Sequence, residues 1–308
     1  MGWTALSGFN QQFFISIIII GLGYIFKRTG LLKETDGPTI SNIIFKLTLP
    51  ALIIVSFHDI ELEPSLMILF LAGLGFGLIL VAAGFIFLKN ENHSIKGMLL
   101  MMLPGMNVGL FAFPLVEGIW GAEGIKYFAL LDSGNAIIIF GLTYLIGSFY
   151  ATKDQSRPVL TAAKKLTNSV PLMVYILTII INLLNVQLPE IIFETASVIS
   201  LANMPLSLLL LGLYLNFSFE RRHLNLLSKY LGIRYGVSLL LGLVIYLFLP
   251  VSEMIQATLL IGLVLPVPFV LIPYAEEFKY DKSFIVLVTN VTMLISFFLI
   301  WLLVNGLF

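Results

Sequence analysis

The sequence has no cysteine among its 308 residues, only three histidines, and 11% charged residues. Without cysteine there is no disulfide, thiolate metal ligand or thiol nucleophile. His58, His93 and His223 fall in separate polar connections on different sides of the apolar runs. Neither a metal centre nor a histidine-based catalytic cluster is expected from that spacing. The chain is therefore read as a non-enzyme without cofactor or metal. Formal net charge is zero, which argues against nucleic acid as a partner. No ATP-binding motif is present. The opening residues MGWTALSGFNQQ carry no Lys or Arg before the first apolar run. A secretory leader begins with such a basic stretch, so the first run is read as a retained helix.

What the chain has instead is apolar bulk. Hydrophobic residues make up 59% and mean hydropathy is +1.02. A soluble domain of this length needs a polar shell that this composition cannot supply, so lipid is the expected solvent. A span needs about 20 apolar residues to cross a hydrocarbon core of about 30 Å. Ten spans fit, near Gln12–Phe26, Thr39–Phe57, Ser65–Leu88, Ile95–Glu117, Ala122–Tyr150, Ser169–Val186, Pro189–Phe217, Leu224–Leu249, Val251–Phe278 and Lys282–Leu307. The fold expected is all-α integral membrane, multi-pass in the cell membrane.

Charge placement supports that count. With an outside N-terminus, the inside connections would hold Lys27, Arg28, Lys33, Lys89, Lys96, Lys153, Arg157, Lys164, Lys165, Arg221, Arg222, Lys229, Arg234, Lys279 and Lys282. Only Lys46 and Lys126 fall elsewhere. The outside connections carry mainly acids: Asp59, Glu61, Glu63, Glu117, Glu123, Glu190, Glu194 and Glu253. This is the positive-inside pattern, with both termini outside.

The longest polar segment, ATKDQSRPVLTAAKKLTN, divides the chain near its middle. The expected organisation is residues 1–150 as one five-helix repeat, 151–167 as a cytoplasmic loop, and 168–308 as a second repeat. Five helices per half force opposite orientations. The halves share punctuation. Pro50 and Pro205 lie 155 residues apart; Asn107 precedes Pro114 by seven residues, and Pro266 precedes Pro273 by seven, at an offset of 159. Span four reads LPGMNVGLFAFP, with Pro104, Gly105, Asn107, Gly109 and Pro114. Span nine reads LPVPFVLIP, with Pro266, Pro268 and Pro273. Proline removes an N–H and breaks or kinks a helix. Two interrupted helices in matching positions of two halves point to a midplane binding site. The N-terminal end of each second half-helix offers free N–H groups suited to an anion. Ordinary packing kinks are the plainer reading.

The stretch PGMNVGLFAFPLVEGIWGAEG resembles the N-x-G-x-x-x-x-P-L…G-x-E-G pattern of the auxin efflux carrier family, which includes plant PIN-type carriers and compact prokaryotic members. KLTLPAL in span two and YAEEFKYD after span nine are similar as well. The resemblance covers essentially the whole chain. It implies a fold like that of the bile acid/sodium symporters, with the broken fourth and ninth helices crossing at the midplane. Helices one, two, six and seven would form a scaffold and the other six a transport domain moving like an elevator. It further implies alternating-access secondary transport of a small organic anion (carboxylate), and a homodimer formed through the scaffold. Val270 stands where the family commonly has a second asparagine.

The candidate substrate-binding residues are Asn107, Gly105, Met106, Val108, Pro266, Val267, Pro268 and Val270, with Pro104, Pro114 and Pro273 as helix-breaking positions. Asn107 offers two donors and an acceptor, either to a carboxylate or to backbone freed by Pro104. Asp132, in LLDSGNAIII, lies deep in span five, where an acid must face protein or water. It either titrates as a coupling group, pairs with a cation, or is satisfied by neighbours such as Ser133 and Asn135. Asn290, with Thr289 and Thr292, forms a polar patch in span ten that glues helices or lines a site. Lys46 either snorkels to headgroups or attracts an anion. Lys126 is read as an interfacial anchor or a partner of Glu123. Asn42 and Asn203 precede the scaffold prolines. Trp3, Trp120 and Trp301 fit interfacial belts. Coupling to a proton, to sodium or to neither stays open. A channel and a transporter-fold sensor are the rival functions.

Overall fold

The structure, a computed structural model, describes residues 3–58, 63–151, 157–184, 186–216 and 220–307, with side chains from residue 9 onward. Asp59, Glu61, Lys153 and the Trp3 side chain lie outside what is described. All regular structure among the described residues is helical. In chain order the helices are α1 (Trp3–Thr29), α2 (Gly37–Ile43), α3 (Leu49–Phe57), α4 (Met67–Phe87), α5 (His93–Met102), α6 (Phe113–Ile137), α7 (Tyr144–Phe149) and α8 (Pro158–Asn168). They continue as α9 (Val170–Leu183), α10 (Glu190–Ser200), α11 (Asn203–Tyr214), α12 (Leu224–Phe248), α13 (Glu253–Val264), α14 (Leu271–Phe278) and α15 (Lys282–Leu307). Short π-type turns at Ile44–Thr48, Val108–Ala112 and Ile138–Thr143 join α2 to α3, lead into α6, and link α6 to α7.

Seven helices among the described residues are long and apolar enough to cross a membrane. An eighth is gained if Pro158–Asn168 and Val170–Leu183, bent by 62°, form one span. Length alone therefore yields fewer spans than the ten read from sequence, and two particulars account for the difference. Val108–Phe149 is one 42-residue helical stretch, long for a single span, and Gly121 inside it has φ 60° and ψ −149°, which kinks the helix there. Glu253–Val264 is apolar but short.

Helix starts follow local chemistry. Asn92 accepts from Ile95 N at 2.9 Å, Ser169 from Leu172 N and Ser252 from Ile255 N, each capping the helix that follows. In α8, Ala162 is buried while Lys164 and Lys165 lie on the same short amphipathic helix, the pattern of a helix lying along an interface. Lipid-facing surface is plain on α12, where Leu239, Leu240, Leu243, Val244 and Leu247 are exposed.

Two helix pairs approach so closely that only glycine fits. A Cβ on Gly23 would stand 2.2 Å from the Leu209 carbonyl oxygen, and one on Gly212 would stand 2.0 Å from that of Ile20, so α1 and α11 touch backbone to backbone. Gly73 and Gly134 do the same for α4 and α6, at 2.1 Å from the Leu131 oxygen and 2.2 Å from that of Phe70. Packing sorts the helices into two groups. One contains α1, α3, α9, α10 and α11; the other contains α4, α6, α12, α13, α14 and α15. α6 touches both groups, packing on α1, α3, α9 and α11 as well as on α4 and α13.

One reading of the charges is corrected. Arg234, assigned to an inside connection, lies within α12 at 1% exposure. An apolar run of this length carries a charge at its middle only if protein satisfies it, and the backbone partners that do so are described below. Other basic residues at helix ends are paired. Lys27 pairs with Glu34 at 2.6 Å, Lys165 with Glu277 at 3.1 Å, Lys229 with Glu91, and His223 Nε2 with Asp281 at 3.0 Å.

Candidate functional site

α5 ends at Met102 and the chain runs without regular structure through 103–107. α13 ends at Val264, and 265–270 is likewise unwound. Pro104 lies in the first break, and Pro266 and Pro268 in the second; each lacks the N–H that continuation needs. Pro114 and Pro273 sit elsewhere than the sequence placed them. Pro273 is the third residue of α14, where a missing N–H is harmless, and Pro114 lies inside the helical stretch that starts at Val108, directly after the π-turn Val108–Ala112, so neither sits in a break.

The two breaks meet. Asn107 N–H donates to the Pro266 carbonyl at 2.9 Å. A Cβ on Gly105 would lie 2.9 Å from the Pro268 ring, so glycine is what lets the first break approach that ring. Met106, Val108 and Val267 are at most 2% exposed, Asn107 is 5% exposed, and Val270 is half-buried.

Unwound backbone inside a membrane must find partners, and here the partners are specific. Asn135, on α6, receives Met106 N–H at 3.0 Å and donates to the Met106 carbonyl at 2.8 Å. Arg234, on α12, donates from Nη1 to the Leu103 carbonyl at 2.5 Å. Its Nη2 donates to the carbonyls of Gly105 and Leu265, both at 2.9 Å. One guanidinium thus ties both breaks together. Tyr230, one turn earlier, donates to the Met102 carbonyl at 2.8 Å. In the second break Val267 N–H donates to Thr292 Oγ1, on α15, at 3.3 Å.

Asn107 accepts Leu110 N–H at 3.3 Å through Oδ1, capping the restart, while its buried Nδ2 has no hydrogen-bond partner among the described residues. Arg234 Nε is in the same condition. The place where the two breaks meet therefore presents two buried donors lacking acceptors, and the donors suit an oxygen-bearing anion.

Asp132 is 8% exposed on α6. It accepts from Asn135 Nδ2 and from the Tyr175 hydroxyl of α9, both at 2.9 Å. Asn135 thus joins Asp132 to the first break. Ser133 donates to the Leu130 carbonyl of its own helix. Asn290 is not brought to either break: its Nδ2 donates to the Val286 carbonyl and its Oδ1 accepts Asn216 N–H. Thr292, two residues on, makes the contact in its place. Asn203 Oδ1 accepts the Thr48 hydroxyl at 3.0 Å, whereas Asn42 is exposed. Lys46 is exposed on its π-turn, as a snorkelling side chain would be, and Lys126 lies 3.6 Å from Glu123. The histidines stay apart: His58 stacks on Phe193, His93 lies against Tyr150, and His223 bonds Asp281.

The sequence reading missed Arg234 and Tyr175. Arg234 had a usable signal, a permanent charge ten residues inside the run that starts at Leu224. Tyr175 had none, because aromatics are common in apolar helices.

The chain is 27% identical over 232 residues to an uncharacterized transporter of Methanothermobacter thermautotrophicus, covering 73% of this chain and 74% of that one. It is 25% identical over 212 residues to an uncharacterized transporter of Methanocaldococcus jannaschii, covering 66% and 67%. A family described as membrane transport protein matches residues 10–304. The chain belongs to that membrane transport family, of the auxin efflux carrier type.

Proposed function

We propose that this chain is a secondary transporter that moves a small organic anion, a carboxylate, by alternating access at the crossing of its two broken helices. The observation that carries the reading is the contact between Asn107 N–H and the Pro266 carbonyl, in a buried place where Asn107 Nδ2 and Arg234 Nε lack acceptors. Buried donors without acceptors in a low-dielectric interior attract negative charge strongly. The substrate-binding group is Gly105, Met106, Asn107 and Val108 on one side and Pro266, Val267, Pro268 and Val270 on the other.

Dividing the Val108–Phe149 stretch at Gly121, taking α9 as a span with α8 along the interface between the halves, and counting each broken helix as one span gives the ten spans of two inverted repeats, 1–150 and 168–308. Two contacts support that symmetry. Thr48 bonds Asn203 across 155 residues, and Asn107 bonds Pro266 across 159. These are the spacings of the proline repeats, and equivalent positions touch each other only close to the axis that relates them. The packing groups support an elevator division, with helices one, two, six and seven as scaffold. Part of the exposed apolar face of that scaffold would form the homodimer the family resemblance implies. The membrane would be the cell membrane, with both termini outside, and Asp132 would couple transport to a proton.

Reconstitution tests the function. Proteoliposomes should take up radiolabelled benzoate or succinate saturably, with counterflow. Asn107→Asp should abolish uptake, because the carboxylate keeps the helix cap but repels the anion. Unsaturable, non-exchanging flux would instead describe a channel. Measurable binding without flux would describe a sensor.

A further inference from the structure

Among the described residues, Asp132 and Arg234 are the buried carboxylate and the buried guanidinium of the membrane core, and no direct ion pair joins them. They are joined indirectly, and the route can be followed atom by atom. Arg234 Nη2 donates to the Gly105 carbonyl. The N–H of that same peptide unit, on Met106, donates to Asn135 Oδ1. Asn135 Nδ2 donates to Asp132 Oδ1. Every hydrogen bond points the same way, from cation to anion. The amide of Asn135 cannot be turned round, since Met106 N–H can only donate. Chains of this kind polarise one another and carry charge interaction through low dielectric. The peptide in the middle belongs to the first break, beside Asn107.

We propose that Arg234 and Asp132 form an ion pair mediated by the Gly105–Met106 peptide and Asn135, and that it makes the protein take up one proton with each anion. The inference rests on the carboxylate reading of the crossing. With Asp132 ionised, Arg234 is balanced and the crossing is neutral. An anion arriving beside Asn107 would then add a negative charge that nothing compensates. A proton from water, bound to an Asp132 oxygen, releases the positive charge of Arg234 to the anion, and the sum stays zero. The linkage is symmetric: anion favours proton and proton favours anion. Arg234 cannot supply the change itself, because a guanidinium holds its proton at all relevant pH. Little else near Asp132 titrates. Of the elements packed on α6, α3, α4 and the adjoining π-turns carry no titratable group. α9 contributes Tyr175, α11 contributes Tyr214, and α13 contributes Glu253 in its first turn. α1 contributes Tyr24, Lys27 and Arg28 toward its end, and α6 itself carries Glu117, Glu123, Lys126 and Tyr127 nearer its start.

Infrared spectroscopy of the full chain in lipid nanodiscs tests this. The carbonyl stretch of a protonated buried acid is followed against pH and assigned by its loss in Asp132→Asn. Arg234→Gln should make the band appear about 1 pH unit higher than in wild type, because the charge that favours the carboxylate is gone. Asn135→Leu keeps both charges but cuts the relay, and should move it the same way by less. Arg234→Lys should stay nearer wild type. Identical midpoints in all variants overturn the mediated pair. Should Arg234→Gln fail to fold, Asn135→Leu and the wild-type measurement decide. In wild type, benzoate, a monoanion, added above the midpoint should bring up the band and take about one proton per bound anion from weakly buffered solution. Binding without proton uptake overturns the linkage. A relay shift with no binding of benzoate or succinate supports the pair and removes only the carboxylate reading.

Discussion

At the residue scale, Asn107 has two separable duties. Its Oδ1 caps the helix restart at Leu110, and its Nδ2 is free for a ligand. Asn107→Ala removes both, so stability should fall by about 1 kcal/mol, the usual worth of such a cap. Carboxylate affinity should also fall, by about tenfold for one lost hydrogen bond of about 1.4 kcal/mol. Calorimetric binding and a thermal melt separate the two. Unchanged affinity with lowered stability would leave Asn107 as a cap alone. Asp132→Asn should keep the fold, because an amide still accepts from Tyr175, while uptake loses its response to an imposed pH gradient; a preserved response would remove the coupling role. Asp281, in the connection before α15, offers a stability test. Burial raises its pKa, but the Phe284 N–H, the His223 hydrogen bond and the nearby charges of His223 and Arg222 outweigh that and hold it below the ordinary carboxylate value. A depressed carboxyl stabilises the fold above its unfolded pKa of about 3.9 and stops doing so as pH falls through the lower folded value. The melting-temperature gap between wild type and Asp281→Asn should therefore be open at pH 6 and closed in strong acid.

At the element scale, the close approach of the two breaks is what a substitution can test most sharply. Gly105→Val puts two methyl groups where a single Cβ already stands 2.9 Å from Pro268. The breaks must part, straining the bond between Asn107 and Pro266, and overpacking of this kind costs about 1–3 kcal/mol. Binding should suffer more than folding, since loops 103–107 and 265–270 can shift while α5 and α13 stay packed. Equal affinity in Gly105→Val would show the crossing is not the binding place. The breaks themselves were legible, because Pro104, Pro266 and Pro268 each remove an N–H that an uninterrupted apolar helix needs. What holds them was not. Tyr230 and Arg234 lie on α12, more than a hundred residues from the carbonyls they bond in the first break. Thr292 rather than Asn290 meets the second break because helix rotation selects one polar residue of a patch. Spacing along the chain cannot tell which.

At the scale of the whole molecule, the absence of native cysteine makes orientation easy to test. Cysteine introduced at Ala122, exposed beside the Gly121 kink, should react with an impermeant maleimide from outside intact cells. Cysteine at Leu160, exposed on α8, should react only after permeabilisation. The opposite pattern would invert the orientation read from the lysines and arginines. Tyr175 adds a test of motion. Its hydrogen bond to Asp132 joins α9 to α6, across the boundary between the two packing groups. If those groups slide during transport this bond must break in each cycle, so Tyr175→Phe should change the turnover rate more than the affinity.

Composition alone determined that this chain lives in lipid, because 59% apolar residues cannot be hidden in water. Proline and glycine determined where helices stop, since backbone chemistry acts locally. Tertiary structure alone decided which side chains satisfy the freed backbone, and that a cation and an anion on distant helices share one peptide between them. Those are questions of which faces meet, and helix packing answers them only when the whole chain is folded.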